Sequence, residues 1–263
     1  MFFKRLFAKS GVYAAYKMYS PAHFMLIMIC AAAIFYALYQ TRTKTKDEIL
    51  KTVRKCAIVL WVLETAKIIF NLCIGNAGNL NTYVPLYFCS ITLYACVFSG
   101  YCKGFLKRVG DVFLIVGGVV GGCAYILSPC TTAGTYPVFH FITIQSFLLH
   151  SIMIYLGILF VITDYAKLSF KDIYYYAPLV VAVSIIAYII NMIFGSNLMF
   201  VSQSNPGTIV DVVYKMNPKL FSFSITFWQA VPPFIVIHHL TRLYYRIREK
   251  RSSQNEEVAH AVK

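Results

Sequence analysis

Cys89 and His150 are the two residues of this sequence whose side chains could carry out covalent chemistry together. A thiol becomes nucleophilic only when it is ionised, and an imidazole within hydrogen-bond reach can accept its proton. Both residues lie in apolar stretches, where a single Cys is more often a packing residue and a single His is more often a hydrogen-bonded core residue. The residue types therefore leave two alternatives, a catalytic pair and two structural residues.

Three more polar residues lie on one face of a single apolar segment. Glu64, Lys67 and Asn71 are spaced i, i+3 and i+7, which places them on the same side of a helix. Polar side chains at membrane depth are costly, so they usually face an interior cavity or a functional site. Glu64 and Lys67 can also pair with each other, and a purely structural ion pair is the alternative interpretation.

Polar residues on other segments fall at a similar depth, in the outer half of the membrane. We predict that one cavity collects these side chains and that a substrate contacts Glu64, Lys67, Asn71, Tyr87, Gln145, Ser146 and Asn191. Lys67 or Asn71 would steady a headgroup. Gln145 or Asn191 would donate a hydrogen bond to an oxyanion. The Cys and His spacing indicates no metal site, and we expect no cofactor.

Long apolar stretches are the elements that must position these side chains. The sequence is 59% hydrophobic and only 13% charged, whereas a soluble domain usually carries about 25% charged residues. About seven stretches are long enough to cross a bilayer. They cover approximately residues 21–39, 56–75, 83–100, 112–127, 138–162, 175–194 and 221–243. The pattern predicts an all-α fold, a polytopic bundle of about seven transmembrane helices.

The positive charge follows the membrane segments. The net charge is +14, and most Lys and Arg residues fall in the stretches 42–54, 103–108, 167–171 and 242–251. Short loops rich in Lys and Arg stay in the cytoplasm, which predicts an N-terminus outside and a cytoplasmic C-terminus. Lys4, Arg5, Lys9 and Lys17 would then lie outside, on an interfacial helix. We expect no nucleic-acid partner, since no basic and aromatic face exists outside the membrane segments.

The apolar segments and the charge distribution predict a multi-pass protein of the cell membrane. They divide the chain into three regions. Residues 1–20 form a basic amphipathic segment, residues 21–245 the transmembrane domain, and residues 246–263 a polar cytoplasmic tail. Any activity is expected to reside in the helical bundle, because the loops and tails leave no room for a separate soluble domain.

Two smaller features leave alternatives open. Four glycines in the fourth segment, at positions 117, 118, 121 and 122, form small-x-x-x-small pairs that allow close helix packing, and a ligand-binding face is the alternative. The eight Cys residues are spread singly along the chain. Among them, Cys73 and Cys130 are both predicted near outer loops, where they form either a disulfide or two free thiols.

Three stretches resemble the YwaF-like integral membrane proteins, which are related to the transmembrane protein 164 family. The stretch YVPLYFCSI, from Tyr83 to Ile91, is similar to that family's Pro-Leu-His-x-Cys motif, with Tyr87 at the position of a common His. The stretch YPVFHFITIQSFLLHS, residues 136–151, resembles the segment that carries the family's inner histidine, with Leu149 in place of a paired histidine. The stretch NMIFGSNLMF, residues 191–200, resembles the end of the family's sixth helix.

The resemblance implies a seven-helix membrane protein and an enzymatic function. The family's animal branch is an acyltransferase that moves fatty acyl chains between phospholipids with a Cys and a His, which map to Cys89 and His150. Membrane lipids would then be the partners, and a phospholipid would enter the cavity sideways from the outer leaflet. The alternative is a transporter or sensor that binds a small polar molecule in the same cavity, with Cys89 as a bystander. A structural or assembly role is a third possibility.

Overall fold

The computed structural model describes residues 2–74, 78–206 and 208–261. These residues form helices joined by short loops and contain no strand. The predicted segment boundaries at Gly75 and Asn76 lie outside the described residues. The α-helices are α1 (Phe2–Leu6), α2 (Pro21–Thr41), α3 (Lys46–Cys73), α4 (Ile91–Tyr101), α5 (Gly104–Phe113), α6 (Val119–Leu127), α7 (Phe141–Ile162), α8 (Ile173–Phe194), α9 (Ile209–Met216), α10 (Phe221–Ala230) and α11 (Pro232–Ala261).

Six of the helical stretches in the described part of the chain are long and apolar enough to cross a membrane. They are Pro21–Thr41, Lys46–Cys73, Gly104–Leu127, Phe141–Ile162, Phe170–Phe194 and Pro218–Gln254. They correspond to every predicted segment except the third. The prediction of an all-α polytopic membrane protein is therefore confirmed.

The third predicted segment is only partly helical. Its helix α4 covers Ile91–Tyr101, and at about 1.5 Å per residue it reaches roughly half of the ~30 Å hydrocarbon core. Pro85 has no N–H to donate, and residues 83–90 are not helical; they end in a turn in which Ser90 N donates to Tyr87 O at 2.9 Å. Non-helical backbone at membrane depth is tolerated where it is buried in protein or lines a cavity.

The seventh predicted segment is interrupted in the middle. Helix α10 ends at Ala230 and α11 begins at Pro232. Neither Pro232 nor Pro233 has a backbone N–H, so neither can continue the hydrogen-bond ladder of α10. Helix α11 then runs on to Ala261. The region predicted as a polar tail, residues 246–263, is accordingly helical as far as it is described.

The first twenty residues do not form the single interfacial helix that we predicted. Only α1 is helical, and residues 7–20, here called the N-terminal segment, lie against the loop that precedes α7. The N–H of Tyr16 donates to Tyr136 O at 3.1 Å. His140 Nε2 donates to Ala8 O at 3.0 Å. These bonds join backbone groups of the N-terminal segment to residues before α7. Tertiary contacts therefore hold the N-terminal segment in place of the hydrogen-bond ladder of a helix.

The glycines of the fourth segment allow α6 to pack directly against α7. A Cβ on Gly118 would lie 3.2 Å from Met153 O, and a Cβ on Gly122 would lie 2.8 Å from His150 O and 2.5 Å from Ile154 Cγ1. The predicted role in close packing is thus seen at two of the four glycines. Gly121 differs, since it lines the cavity described below.

Replacing Gly122 by Val is expected to destabilise the protein by about 1–3 kcal/mol, because the added atoms have no space beside the backbone of α7. The measurement is the thermal unfolding midpoint of the detergent-purified protein. Gly78→Val is the matched control, since a Cβ on Gly78 meets nothing within 4 Å. Equal midpoints for the two variants would show that the α6–α7 contact can relax and that the glycine is dispensable.

Candidate functional site

A cavity of about 610 Å³ lies where α3, α6 and α7 meet the non-helical segment before α4. The loop after α6 and the segment before α9 complete its wall. The predicted site residues among its lining are Glu64, Lys67, Asn71, Tyr87, Cys89, Gln145, Ser146 and His150. The structure thus brings together all of the predicted site residues except Asn191. We call this space the polar cavity.

Cys89 reaches the polar cavity from a turn and not from the middle of a helix. Its carbonyl accepts a hydrogen bond from Thr92 N at 3.1 Å, at the point where α4 is about to begin. Among the described contacts, no hydrogen bond joins the sulfur of Cys89 to His150. Both side chains line the same cavity, so a bound molecule can touch both.

His150 is held on one edge by its own helix. Its Nδ1 lies 2.6 Å from Ser146 O. A carbonyl oxygen can only accept, so Nδ1 carries the proton and the neutral ring keeps its lone pair on Nε2. The ring of His150 also stacks face to face on Tyr125, with 3.7 Å between the ring centroids and 9° between the planes. His150 therefore has the protonation pattern that a general base needs.

Glu64 and Lys67 form the ion pair that their spacing allows. Lys67 Nζ lies 2.6 Å from Glu64 Oε1, and the side chains are 20% and 1% exposed, respectively. A buried carboxylate without a partner would be strongly destabilising, so the pair has a structural role. The ammonium group remains partly open at the cavity wall. It can therefore meet an anionic group of a bound molecule.

The side-chain amide of Asn71 is used by the protein itself. Asn71 Nδ2 donates to Lys67 O at 3.0 Å and to Thr82 O at 3.1 Å. These bonds fasten the chain before α4 to the end of α3. Asn71 lines the polar cavity, but its donor group is occupied, so the partly open ammonium of Lys67 is the group better able to contact a bound molecule.

Asn191 is placed elsewhere. It is buried near the end of α8 and does not line the polar cavity. Its Nδ2 donates to Leu198 O at 3.0 Å and to Ser202 Oγ at 2.8 Å. Its Oδ1 accepts from Ser196 Oγ at 2.6 Å and from Leu198 N at 2.8 Å. Its amide shapes the turn after Gly195, whose φ of 65° ends the helix. Depth along a helix was predicted from spacing, but the direction of this side chain was not.

Gln145 has an unused hydrogen-bond donor. The residue is 2% exposed and lines the polar cavity. Its Oε1 accepts from Ser146 Oγ at 3.3 Å, whereas Nε2 has no partner among the described residues. An unsatisfied buried amide costs about 1–3 kcal/mol. A bound carbonyl or oxyanion would remove that cost.

Several residues of the polar cavity were not predicted from the sequence. Tyr125 stacks on His150, and the loop residues Cys130, Thr131, Asn205 and Thr208 line the cavity. The composition of the loops that carry these residues contained a signal for them, since the loops are rich in Ser, Thr and Asn and nearly free of charge. Tyr125 offered no such signal, because an aromatic residue on an apolar helix usually packs in the core.

The structure contains no disulfide among the described cysteines. Cys73 and Cys130, left open above as a possible disulfide, are free cysteines in the structure. Cys130 Sγ instead accepts from Asn205 Nδ2 at 3.8 Å. Among the described residues, no group of three or more His, Cys, Asp or Glu side chains is arranged to hold a metal ion.

Comparison with known proteins identifies a family over most of the chain. The model of the TMEM164 family matches residues 18–255. That range includes all of the residues that line the polar cavity. None of the curated proteins and none of the solved structures that were compared matches the chain.

Proposed function

We propose that this protein, which belongs to the TMEM164 family, is a membrane-embedded acyltransferase that moves fatty acyl chains between phospholipids. The observation that carries the proposal is the polar cavity shared by Cys89 and by a His150 whose Nδ1 is bound to Ser146 O. A nucleophile and a base with a free lone pair then face the same bound molecule. The six described helical stretches that are long and apolar enough to cross a membrane would bring the cavity close to lipid, the proposed substrate.

In the first half of the reaction, Nε2 of His150 accepts the thiol proton of Cys89 while the sulfur attacks the ester carbonyl carbon of a phospholipid. The ester C–O bond then breaks, and the departing oxygen takes the proton back from His150. The products are a lysophospholipid and a thioester on Cys89. No oxidant, metal or activated donor is required, since one ester is exchanged for a thioester.

In the second half, a hydroxyl group of a lysophospholipid gives its proton to His150 and attacks the thioester carbon. The C–S bond breaks, the new phospholipid leaves, and the proton returns to the sulfur of Cys89. Both halves pass through a tetrahedral oxyanion, which a preorganised donor stabilises. Gln145 Nε2 is the donor that we assign to it, because it is buried in the cavity wall and has no protein partner among the described residues.

Two further groups would bind the lipid outside the reacting ester. The ammonium of Lys67 meets the phosphate of the headgroup, since it is partly exposed at the cavity wall. Tyr87, whose ring packs against Phe200 at 5.2 Å between centroids, offers its hydroxyl to the glycerol oxygens. These roles predict weaker lipid binding when Lys67 or Tyr87 is replaced.

The direct test of the proposal is mass spectrometry of Cys89 in the full-length protein reconstituted in nanodiscs of phosphatidylcholine with a labelled acyl chain. We expect a labelled thioester on Cys89 that disappears when a lysophospholipid is added and that carries its label into the new phospholipid. A Cys89 that stays unmodified, with no redistribution of label at equal protein amounts, would contradict the proposal.

A second candidate function is a transporter or sensor for a small polar molecule. It is favoured by the absence of a hydrogen bond between Cys89 and His150 among the described contacts, and by the ion pair at the cavity wall. This function requires Glu64 and Lys67 but tolerates Ser at position 89. Uptake or binding of a solute that survives Cys89→Ser would support it.

We also propose that the protein resides in the cell membrane with its N-terminus outside and its C-terminus in the cytoplasm, as its Lys and Arg distribution suggests. In variants with a single cysteine, a membrane-impermeant maleimide should label Cys73 on intact cells, because Cys73 is exposed near the predicted outer end of α3. Cys102, at the opposite end of the bundle, should react only after permeabilisation. The reverse pattern would invert the proposed topology.

A further inference from the structure

Tyr125 covers one face of the His150 ring. The two rings lie 3.7 Å apart and within 9° of parallel. A hydrogen bond from Nδ1 to Ser146 O alone would still permit the ring to tilt about that bond. The stacked face blocks the tilt, so the two contacts together fix both the tautomer and the orientation of the imidazole.

Tyr125 is itself fixed by a hydroxyl chain. Its OH lies 2.8 Å from Thr132 Oγ1, and the OH of Tyr16 lies 2.8 Å from the same oxygen. Thr132 is completely buried. Its hydroxyl has one proton to give, so at least one of the two tyrosines donates to it. Phe147 also packs against Tyr125 in an edge-to-face arrangement, with 5.6 Å between centroids and 72° between planes.

We propose, on the basis of the proposed acyl transfer, that Tyr125 and Thr132 are positioning residues for His150. Tyr125 holds the imidazole so that Nε2 stays free of protein partners, and Thr132 holds Tyr125. Thr132 does not line the polar cavity and so acts only through its neighbour. Tyr16 extends the chain to the N-terminal segment, which thereby becomes part of the support of the catalytic base.

The two residues differ in what their substitution should do. Tyr125→Leu removes the stack and the hydroxyl, whereas Tyr125→Phe keeps the stack and removes the hydroxyl together with its bond to Thr132. Thr132→Val removes the shared hydroxyl at nearly constant volume, and Thr132→Ser restores it. A misplaced catalytic group can cost about a hundredfold in rate. We therefore expect Cys89 acylation to slow about a hundredfold in Tyr125→Leu, about tenfold in Thr132→Val and Tyr125→Phe, and to recover in Thr132→Ser.

The experiment combines the acylation rate with nitrogen NMR of the histidine rings in nanodiscs, where the His150 signals are those missing from His150→Ala. We expect a single Nδ1–H tautomer in the wild type and in Thr132→Ser, and a mixture of tautomers in Tyr125→Leu. An unchanged His150 spectrum in Tyr125→Leu would overturn the inference, whatever the acylation rate. A wild type that never acylates Cys89, with the tautomer shift still present in Tyr125→Leu, would refute the acyltransferase and leave the positioning role intact.

The design also separates positioning from folding. Tyr125→Phe and Thr132→Ser are conservative enough to keep the buried packing of both residues, so they report on the ring even where Tyr125→Leu is not produced. An acylation rate in Tyr125→Phe and Thr132→Val equal to that of the wild type, with unshifted His150 signals, would show that the hydroxyl chain has no part in the support.

Discussion

Replacing Cys89 by Ser is expected to reduce acyl transfer between phospholipids by a factor on the order of 10³ or more, and to remove the labelled thioester completely. A serine hydroxyl keeps the size and position of the thiol but is a far weaker nucleophile without a strong base. The measurement is the redistribution of a labelled acyl chain in nanodiscs at equal protein concentration. Binding of phospholipid should be retained, because Cys89→Ser removes no part of the cavity wall.

The same acyl-transfer assay distinguishes the role of His150 as base from the role of Cys89 as nucleophile. His150→Ala should slow acylation by about 10²–10⁴-fold, the usual contribution of a general base, and should leave the Cys89 thiol present and reactive towards small alkylating agents. Cys123→Ser is the matched control, since Cys123 lies on α6 outside the lining of the polar cavity. Full transfer by Cys89→Ser would exclude a covalent intermediate on this residue and would favour the binding function instead.

Replacing Asn191 by Leu is expected to destabilise the fold by about 3–5 kcal/mol without a direct effect on the chemistry. The amide of Asn191 makes hydrogen bonds with Leu198, Ser196 and Ser202, and each net bond is worth roughly 1 kcal/mol. The partners left behind are partly buried and add their own desolvation cost. Thermal unfolding in detergent, monitored by circular dichroism, is the measurement.

The control for this prediction is Met192→Ala, on the same helix but 67% exposed towards the lipid. It should shift the unfolding midpoint far less. The turn after α8 leads to Phe200, which lines the polar cavity, so Asn191→Leu should also weaken lipid binding once the turn is lost. If Asn191→Leu has wild-type stability and loses only lipid binding, Asn191 would instead be a substrate-binding residue, as the sequence predicted.

The cavity could be anticipated because polar side chains at membrane depth are costly and hence rarely accidental. Glu64 and Lys67 share a face through their spacing alone, and the depths of Cys89 and His150 follow from counting residues along apolar stretches. Asn191 has a similar predicted depth, but its side chain does not line the polar cavity. Counting residues places a side chain along the membrane normal, but its direction around the helix axis depends on the neighbouring helices.

The departures of the fold from the predicted segments have a related cause. The stretch that contains Pro85 is as apolar as a spanning helix, yet it is not helical where it lines the cavity. Hydrophobicity reports burial away from water and does not distinguish a helix from a turn that is buried in protein. Likewise, the folding of the N-terminal segment against the loop before α7 depends on contacts between distant parts of the chain.

Composition and the length of its apolar stretches are sufficient to establish that this chain is an all-α membrane protein, because the bilayer imposes one thickness and one requirement for paired backbone groups. They also predict a similar depth for Glu64, Cys89 and His150, which the structure brings to one cavity. Only the tertiary structure decides that His150 has its Nδ1 on Ser146 and its face on Tyr125, and that the amide of Asn191 bonds the turn after α8. Hydrogen-bond partners and ring stacking depend on distances of a few ångströms between separate elements, which spacing along the chain does not encode.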